Sequence, residues 1–434
     1  TYSPAGRLVT RRWSRGVTTT YIYGPTGDLA GWDYSDSTPR VRLERDRLGR
    51  ILTREDGAGR SSQVFHAATG LAEAETLSAS GLGSVTLNRS FDELVRVSRV
   101  GLSGVAAGSD TVYSYDPASR VAAVALGDMS ARYDFPVASR AANALAFSAA
   151  GIARLKATIE SDRLDRIRSI NYSLPEVPEA QWTFGLTRDR LGRLASVARE
   201  DGSRIDYSQD AAGRVRSESW RSRDGTLMVG RQFAWSFDDV GNLQWSDRNA
   251  QTSFFTVNAL NQYVSRTVPG VIEVSGRADL AATVTVESTP EEALPVPVLR
   301  QGENFFRRVA VNNSASAVRA LITVTGSRLA DPATAGDALA SIRRTAFLPR
   351  SPERYAYDAD GNLLADGAWS YSWDGENRLV AVETSAVRVQ LGEARRRAVF
   401  TYDAIGRRAA TIRTTFVPAG FGRLVQSRFS DGAL

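Results

Sequence analysis

The stretch RDRLGRLASVAREDGSRIDYSQDAAGRV, residues 188–215, contains one short phrase twice. The phrase is Asp–x–x–Gly–Arg–apolar: Asp189, Gly192, Arg193 and Leu194, then Asp210, Gly213, Arg214 and Val215, 21 residues later. A type I turn favours Asp, Asn or Ser at its first position and Gly at its fourth. The acidic side chain bonds N–H groups inside its own turn, and Gly accepts positive φ without penalty. Between the phrases, Ile205 and Tyr207 alternate with polar neighbours, the period of a strand with one apolar face. Glu200–Asp201–Gly202 marks a second turn. The unit reads as strand, DG turn, strand, DxxGR turn.

The phrase recurs along most of the chain, usually with an aromatic residue before the acid. Further good copies hold Asp46, Gly49 and Arg50; Asp238 and Gly241; Tyr357, Asp358 and Gly361; Tyr402, Asp403, Gly406 and Arg407. Weaker copies begin at Tyr2 (with Ser3, Gly6 and Arg7), Tyr23, Phe91, Tyr115 (with Asp116), Ser161, Val257 and Trp373 (with Asp374). In these, Ser119 and Asn261 replace Gly. Arg45 and Arg188 stand where an aromatic is usual, so irregular sheet is expected at such units. A fixed period near 20 residues marks a repeat architecture. One hairpin is not stable alone. Stacked side by side, the hairpins form one long antiparallel sheet, so the expected class is all-β. Only residues 138–151 and 337–346 are compatible with helix.

Between the turns at Asn261 and Gly361 the template stops while apolar alternation persists. Residues 280–288, 304–313 and 318–327 read as strands, and 289–304 as a Pro-containing connector. This suits a small Ig-like β-sandwich inserted at a loop tip. The expected organisation is repeats over 1–268, the insertion over 269–350, and repeats again over 351–434.

Composition narrows the chemistry. The 434 residues are 42% hydrophobic and 24% charged, with 36 Gly and 15 Pro, as in an ordinary globular chain. No apolar run is long enough for a membrane-spanning helix, and no signal peptide is visible at Thr1. Thr1 falls almost inside the first repeat, so the chain is expected to be a segment of a longer protein. Cysteine is absent, which excludes disulfides and thiol nucleophiles. The single histidine, His66, is read as a half-exposed strand residue before a turn. Lys156 is the only lysine; the other 53 of the 54 basic residues are arginines, scattered among 48 acids and not clustered as in a nucleic-acid reader. Acid pairs such as Glu200/Asp201, Asp238/Asp239, Glu291/Glu292 and Asp358/Asp360 sit mostly in turns, where backbone bonding accounts for them. The acidic run 27–37 lacks the spacing of an EF-hand loop. No catalytic, cofactor-binding or metal-binding residue is assigned.

Tyr357–Asp358–Gly361–Asn362–Leu363, Tyr402–Asp403–Gly406–Arg407 and Tyr115–Asp116 carry a resemblance to the Rhs family, whose unit is the YD repeat. That repeat is seen also in teneurins and in shell components of insecticidal Tc toxin complexes. WSYSWDGENRLVAVE (369–383) resembles the run often found before the conserved core segment of bacterial members. The resemblance implies a sheet that spirals into a barrel-like shell, whose repeat tyrosines pack against neighbouring repeats. It implies a structural role outside the cell, secreted or at its surface, with no enzyme activity in this chain. The shell encloses or displays a C-terminal toxin-like effector, the implied partner. Neither that effector nor the self-cleaving core segment is matched here. The alternative is an adhesion or carbohydrate-binding module that meets a glycan or protein at a target surface.

Overall fold

A computed structural model describes residues 1–79, 83–104, 110–137, 139, 141–289, 292–329, 337–416 and 425–429. The chain is all-β. From Thr10–Arg12 to Tyr263–Arg266, each strand of the main sheet pairs antiparallel with the next along the chain. Glu353–Arg354 adds the last of its 24 strands. The meander resumes at Ala356–Tyr357 and runs through a seven-stranded sheet to Val425–Phe429.

Pairing sorts the side chains by face, because strand residues alternate. Tyr21 lies opposite Trp32, Trp32 opposite Val41, Ile159 opposite Ile170, Ile170 opposite Phe184, and Ile205 opposite both Val197 and Trp220. The other face carries hydroxyls and amides, for example Ser208 against Ser217 and Thr183 against Asn171. Few side chains of the apolar face are fully buried; Val41, Ala157 and Ile205 are among them. Among the described residues no second sheet is layered over its length; Leu227–Phe237 meets strands of another sheet, Leu299–Gln301 and Asn304–Ala310. The 47.1 kDa chain exposes 26434 Å², whereas a compact monomer of that mass exposes about 16,000 Å². The excess is the signature of a single-layer wall.

Residues 271–348 fold into two small sheets packed face to face. One contains Val271–Arg277, Leu299–Gln301 and Asn304–Ala310. The other contains Thr283–Thr289, Glu292–Pro297, Val318–Arg328 and Ala338–Leu348. Ile272, Val286, Val309, Val311, Ala320 and Ile322 form the core between them. The segment read as a connector, 289–304, thus holds two strands. From residue 338 onward the stretch 337–346 is strand and not helix: Ala338–Leu348 pairs with Val318–Arg328 over its whole length, and that ladder overrides local helix propensity. Ala144–Ala149 is likewise strand; residues 138 and 140 of that helix-compatible stretch lie outside the described residues. The one helix among the described residues, Ala386–Gln390, starts at Ser385, whose side chain accepts from Arg388 N–H.

Candidate functional site

The repeated turn is the unit from which every other feature is built. In the turn at 189–193, Gly192 N–H donates to Asp189 O (2.9 Å) and Asp189 N–H to Arg193 O (2.8 Å). This is a type I turn closed by a bulge with Gly in the left-handed region, here at φ 81°. Asp189 Oδ1 accepts from the N–H groups of Leu191 and Arg193, both at 2.9 Å, and Oδ2 from Arg193 Nε at 2.7 Å. The same backbone bonds and Asp–Arg pair recur at Asp46/Arg50 with Gly49, Asp210/Arg214 with Gly213, and Asp403/Arg407 with Gly406. At Asp116/Arg120 and Asp374/Arg378 the pair recurs with Ser119 and Asn377 at the glycine position. At Asp238 with Gly241 and Asp358 with Gly361, asparagine replaces arginine and its Nδ2 donates to the same oxygen. In the first unit Ser3 Oγ accepts from Arg7 N–H, and Tyr2, exposed, bridges only to Leu8. Hydrogen bonds from arginine hold two of the turn carboxyls below their usual range: Arg96 lowers Asp92, and Arg166 lowers Asp162 to about 2.

The aromatic residue and the arginine join one unit to the next. Tyr23, Tyr115, Tyr357 and Tyr402 each donate a hydroxyl to a carbonyl of the preceding unit: Leu8, Val97, Tyr263 and Leu379, at 2.7–2.9 Å. Each acceptor is the residue just after the Arg-equivalent position. Trp373 Nε1 reaches Leu363 O, and Gln209 Nε2 reaches Leu194 O, in the same way. Arg45 Nε approaches Leu29 O at 3.4 Å. The position supplies a donor, a ring or both: Gln209 and Arg45 keep the donor without the ring, and Phe65 and Phe237 keep the ring without the donor. In the other direction, the arginine of one unit stacks on the aromatic of the next: Arg7 on Tyr23, Arg50 on Phe65, Arg96 on Tyr115, Arg214 on Phe237 and Arg378 on Tyr402. Arg193, Arg214 and Arg378 also donate to the carbonyl of the next unit's acid.

Degenerate units keep this geometry, contrary to the expected irregularity. Val95, Ser119, Asp165, Asn261 and Asn377 occupy the glycine position with φ between 57° and 64°. Asparagine tolerates that region well; valine does not. His66 also heads a turn: Gly70 N–H donates to His66 O, and its ring Nδ1 faces Thr69 N–H at 3.2 Å, as an Asp oxygen would. This unit was not legible because a histidine and one extra residue disguise the phrase.

Beyond the insertion the chain comes back against its own beginning. Asn313 Nδ2 bonds both stems of the insertion, Val268 O and Pro349 O. Gln262 and Tyr263 then meet Gly361 and Tyr357, so the row of turns continues as if uninterrupted. Three turns of the returning segment dock on loops at the opposite end of the first hairpins. Arg15 Nε lies 2.9 Å from Asp360 Oδ2, without hydrogen-bond alignment, and its Nη1 lies 3.8 Å from Asp358 Oδ2. Its guanidinium also donates to Trp373 O and Asp374 O. Gly375 N–H donates to Thr38 Oγ1 at 2.6 Å, and Ala404 N–H to Asp56 Oδ2 at 2.7 Å. Arg54 lies between Asp56 and Asp403, all three almost fully buried. A cavity of about 230 Å³ remains in this seam, with Tyr34, Asp56, Asp374 and Asp403 in its lining. Burial raises the Tyr34 hydroxyl above its ordinary range. The 24 strands between the two sides of the seam span about 115 Å at the usual strand spacing, a ring about 37 Å across.

The acid pairs do not converge on a cleft. Asp201 caps Ser203 N–H, Asp238 caps its own turn, Asp360 belongs to the seam, and Glu291 lies outside the described residues. In the acidic run, Asp28, Asp33 and Asp36 bond Thr26, Arg42 and Thr38 respectively. Among the described residues no group of three or more His, Asp or Glu side chains is placed to hold a metal ion.

No family model and no curated protein matches the sequence. The solved structures that the chain is similar to include two of one toxin assembly. "Crystal Structure of TcdB2-TccC3-TEV" matches at 13% identity and a TM-score of 0.41, over 99% of this chain and 20% of that one. "Crystal Structure of TcdB2-TccC3-Cdc42" matches at 12% identity and a TM-score of 0.41, over 98% of this chain and 24% of that one. The chain thus spans about a quarter or less of the length of either.

Proposed function

We propose that this chain is a wall segment of a hollow shell of the Rhs type, a scaffold without enzymatic activity. One observation carries the reading: a single-layer sheet returns after 24 strands and docks on its own first hairpins. A wall with no second sheet layered over its length among the described residues, and with a nearly continuous apolar face, is suited to surround something. Side chains on the concave side of a closed sheet converge, and the apolar face is the less exposed one: Leu155, Ala157 and Ile159 are more covered than Arg154, Lys156 and Thr158. We therefore place the apolar face inward. The content is a C-terminal effector-like domain of the same polypeptide, and the shell works outside the cell. The inserted sandwich decorates the outside as an Ig-like module, and only its open side, described below, favours the adhesion reading.

The test is limited proteolysis of the full polypeptide from which this chain comes, with the region following Leu434 also expressed alone. Enclosure predicts that this region resists protease within the shell and is cut when alone. Equal cleavage in both settings would refute it.

A further inference from the structure

The two sheets of the inserted sandwich are not equally wide. The sheet containing Ala338–Leu348 has four strands and the facing one has three, ending at Val271–Arg277. Among the described residues, Val271–Arg277 has a hydrogen-bonded neighbour on one side only, Asn304–Ala310. Val311 N–H donates to Gly270 O and Ala278 N–H to Glu303 O, which fixes the phase of that ladder. Ile272, Val274 and Gly276 bond inward. Glu273, Ser275 and Arg277 turn their backbone N–H and C=O groups outward, where no partner strand is present among the described residues.

Opposite that edge, the inward face of Ala338–Leu348 runs past the core. Ala346 and Leu348 pack on it, while Ile342 remains 57% exposed. The gap is an open groove of about 610 Å³ between Val274, Gly276, Val324, Ala340, Ile342 and Arg344, within the usual range of ligand sites. Its charges are unbalanced. Glu273 is held by Arg248 and Asn249. Arg344 meets no carboxylate among the described residues, and its Nη1 reaches only Arg343 O.

We propose that this groove accepts one extended strand of a partner polypeptide, added to the Val271–Arg277 edge as the fourth strand of the smaller sheet. The occupant is an alternating segment: its backbone pairs with Glu273, Ser275 and Arg277, its apolar side chains lie on Val324 and Ile342, and a carboxylate meets Arg344. A second copy of the chain fits poorly. Added through its own Val271–Arg277 edge, it would set Ile272, Val274 and Gly276 in the groove and bring no carboxylate to Arg344. A glycan offers neither the alternating apolar groups nor the strand backbone.

The test uses the whole chain and a synthetic ten-residue peptide alternating Val with Thr and carrying one central Glu, followed by fluorescence anisotropy. Three changes are expected each to weaken binding at least about tenfold: N-methylation of alternate peptide amides, Glu→Gln in the peptide, and Ser275→Pro in the protein. Ser275 N–H points away from Asn304–Ala310, so that proline removes no existing ladder bond. Ile342→Asp should abolish binding, with unchanged circular dichroism as the folding control. The proposal is overturned by absence of binding at millimolar peptide, or by equal affinity for the N-methylated peptide. Dimerisation lost in Ile342→Asp would instead make the occupant a second copy and also overturn it.

Discussion

Replacing Arg15 with Met is the sharpest perturbation of the seam. Arg15 is nearly buried and faces Asp360, whose side chain is 2% exposed. Removing one partner of a buried pair costs about 3–5 kcal/mol, because a charge is left without compensation. The low end applies here, since Asp360 Oδ1 keeps the backbone N–H of Arg15 at 3.2 Å. We expect about 3 kcal/mol at the seam, and little elsewhere, because the repeat-to-repeat bonds are local. Native-state amide exchange reads this directly. Gly375 N–H is bonded to Thr38 across the seam, and its exchange should accelerate about a hundredfold. Gly192 N–H, bonded within its own distant turn, should not change. Adding Asp360→Asn to Arg15→Met should recover part of the loss, as a double-mutant cycle requires. Unchanged exchange at Gly375 in a folded Arg15→Met protein would refute the claim that this pair holds the seam.

Three further outcomes follow from the turn and its joints. Gly406→Val meets no atom within 4 Å but forces valine to φ 84°, so urea denaturation should show a loss of about 1–2 kcal/mol. Val95→Gly, at φ 64°, should show a gain of about 1 kcal/mol in the same assay. Tyr402→Phe keeps the ring under Arg378 and loses only the bond to Leu379 O, for about 1 kcal/mol of destabilisation, whereas Tyr402→Ala should cost more. Turn aspartates with a lowered pKa, such as Asp92 and Asp162, contribute to the acid limb. Asp162 has a folded pKa of about 2 against 3.8 unfolded, so its contribution is complete above pH 4 and disappears as pH falls through about 2. Urea midpoints measured against pH should fall across that window and fall less in Asp162→Asn; an identical acid limb would contradict the role given to this pair.

The repeat was legible because its turn is a local device. Asp189, Gly192 and Arg193 bond almost entirely within five residues, so their spacing is printed in the sequence. The same holds for the one-sided strands between turns. What crosses from unit to unit was less legible. Gln209 and Arg45 look like failures of the aromatic position until their donors are seen reaching Leu194 O and Leu29 O. Val95 and Asp165 look like broken turns, yet their N–H groups close the turn on Asp92 O and Asp162 O in the left-handed region. The seam was not legible at all. Arg15 and Asp360 are 345 positions apart, and nothing about an arginine beside Gly16 or an acid beside Gly361 distinguishes them from their many equivalents. Their meeting depends on the curvature accumulated over every strand between them. Ala338–Leu348 was misread for a related reason: its alternation is interrupted by Arg343–Arg344, and its partner strand decides its conformation.

Closure of the sheet on itself is the central claim, and the cysteine-free chain allows a direct distance measurement. Spin labels at Ser14→Cys and Ser372→Cys, both exposed and on opposite sides of the seam, would be read by double electron–electron resonance. A closed ring predicts a single distance within about 30 Å, whereas an open sheet of 24 strands sets the labels on the order of 100 Å apart. A narrow short distance is the expected result. Loss of any resolvable distance in the folded protein would contradict the closed shell.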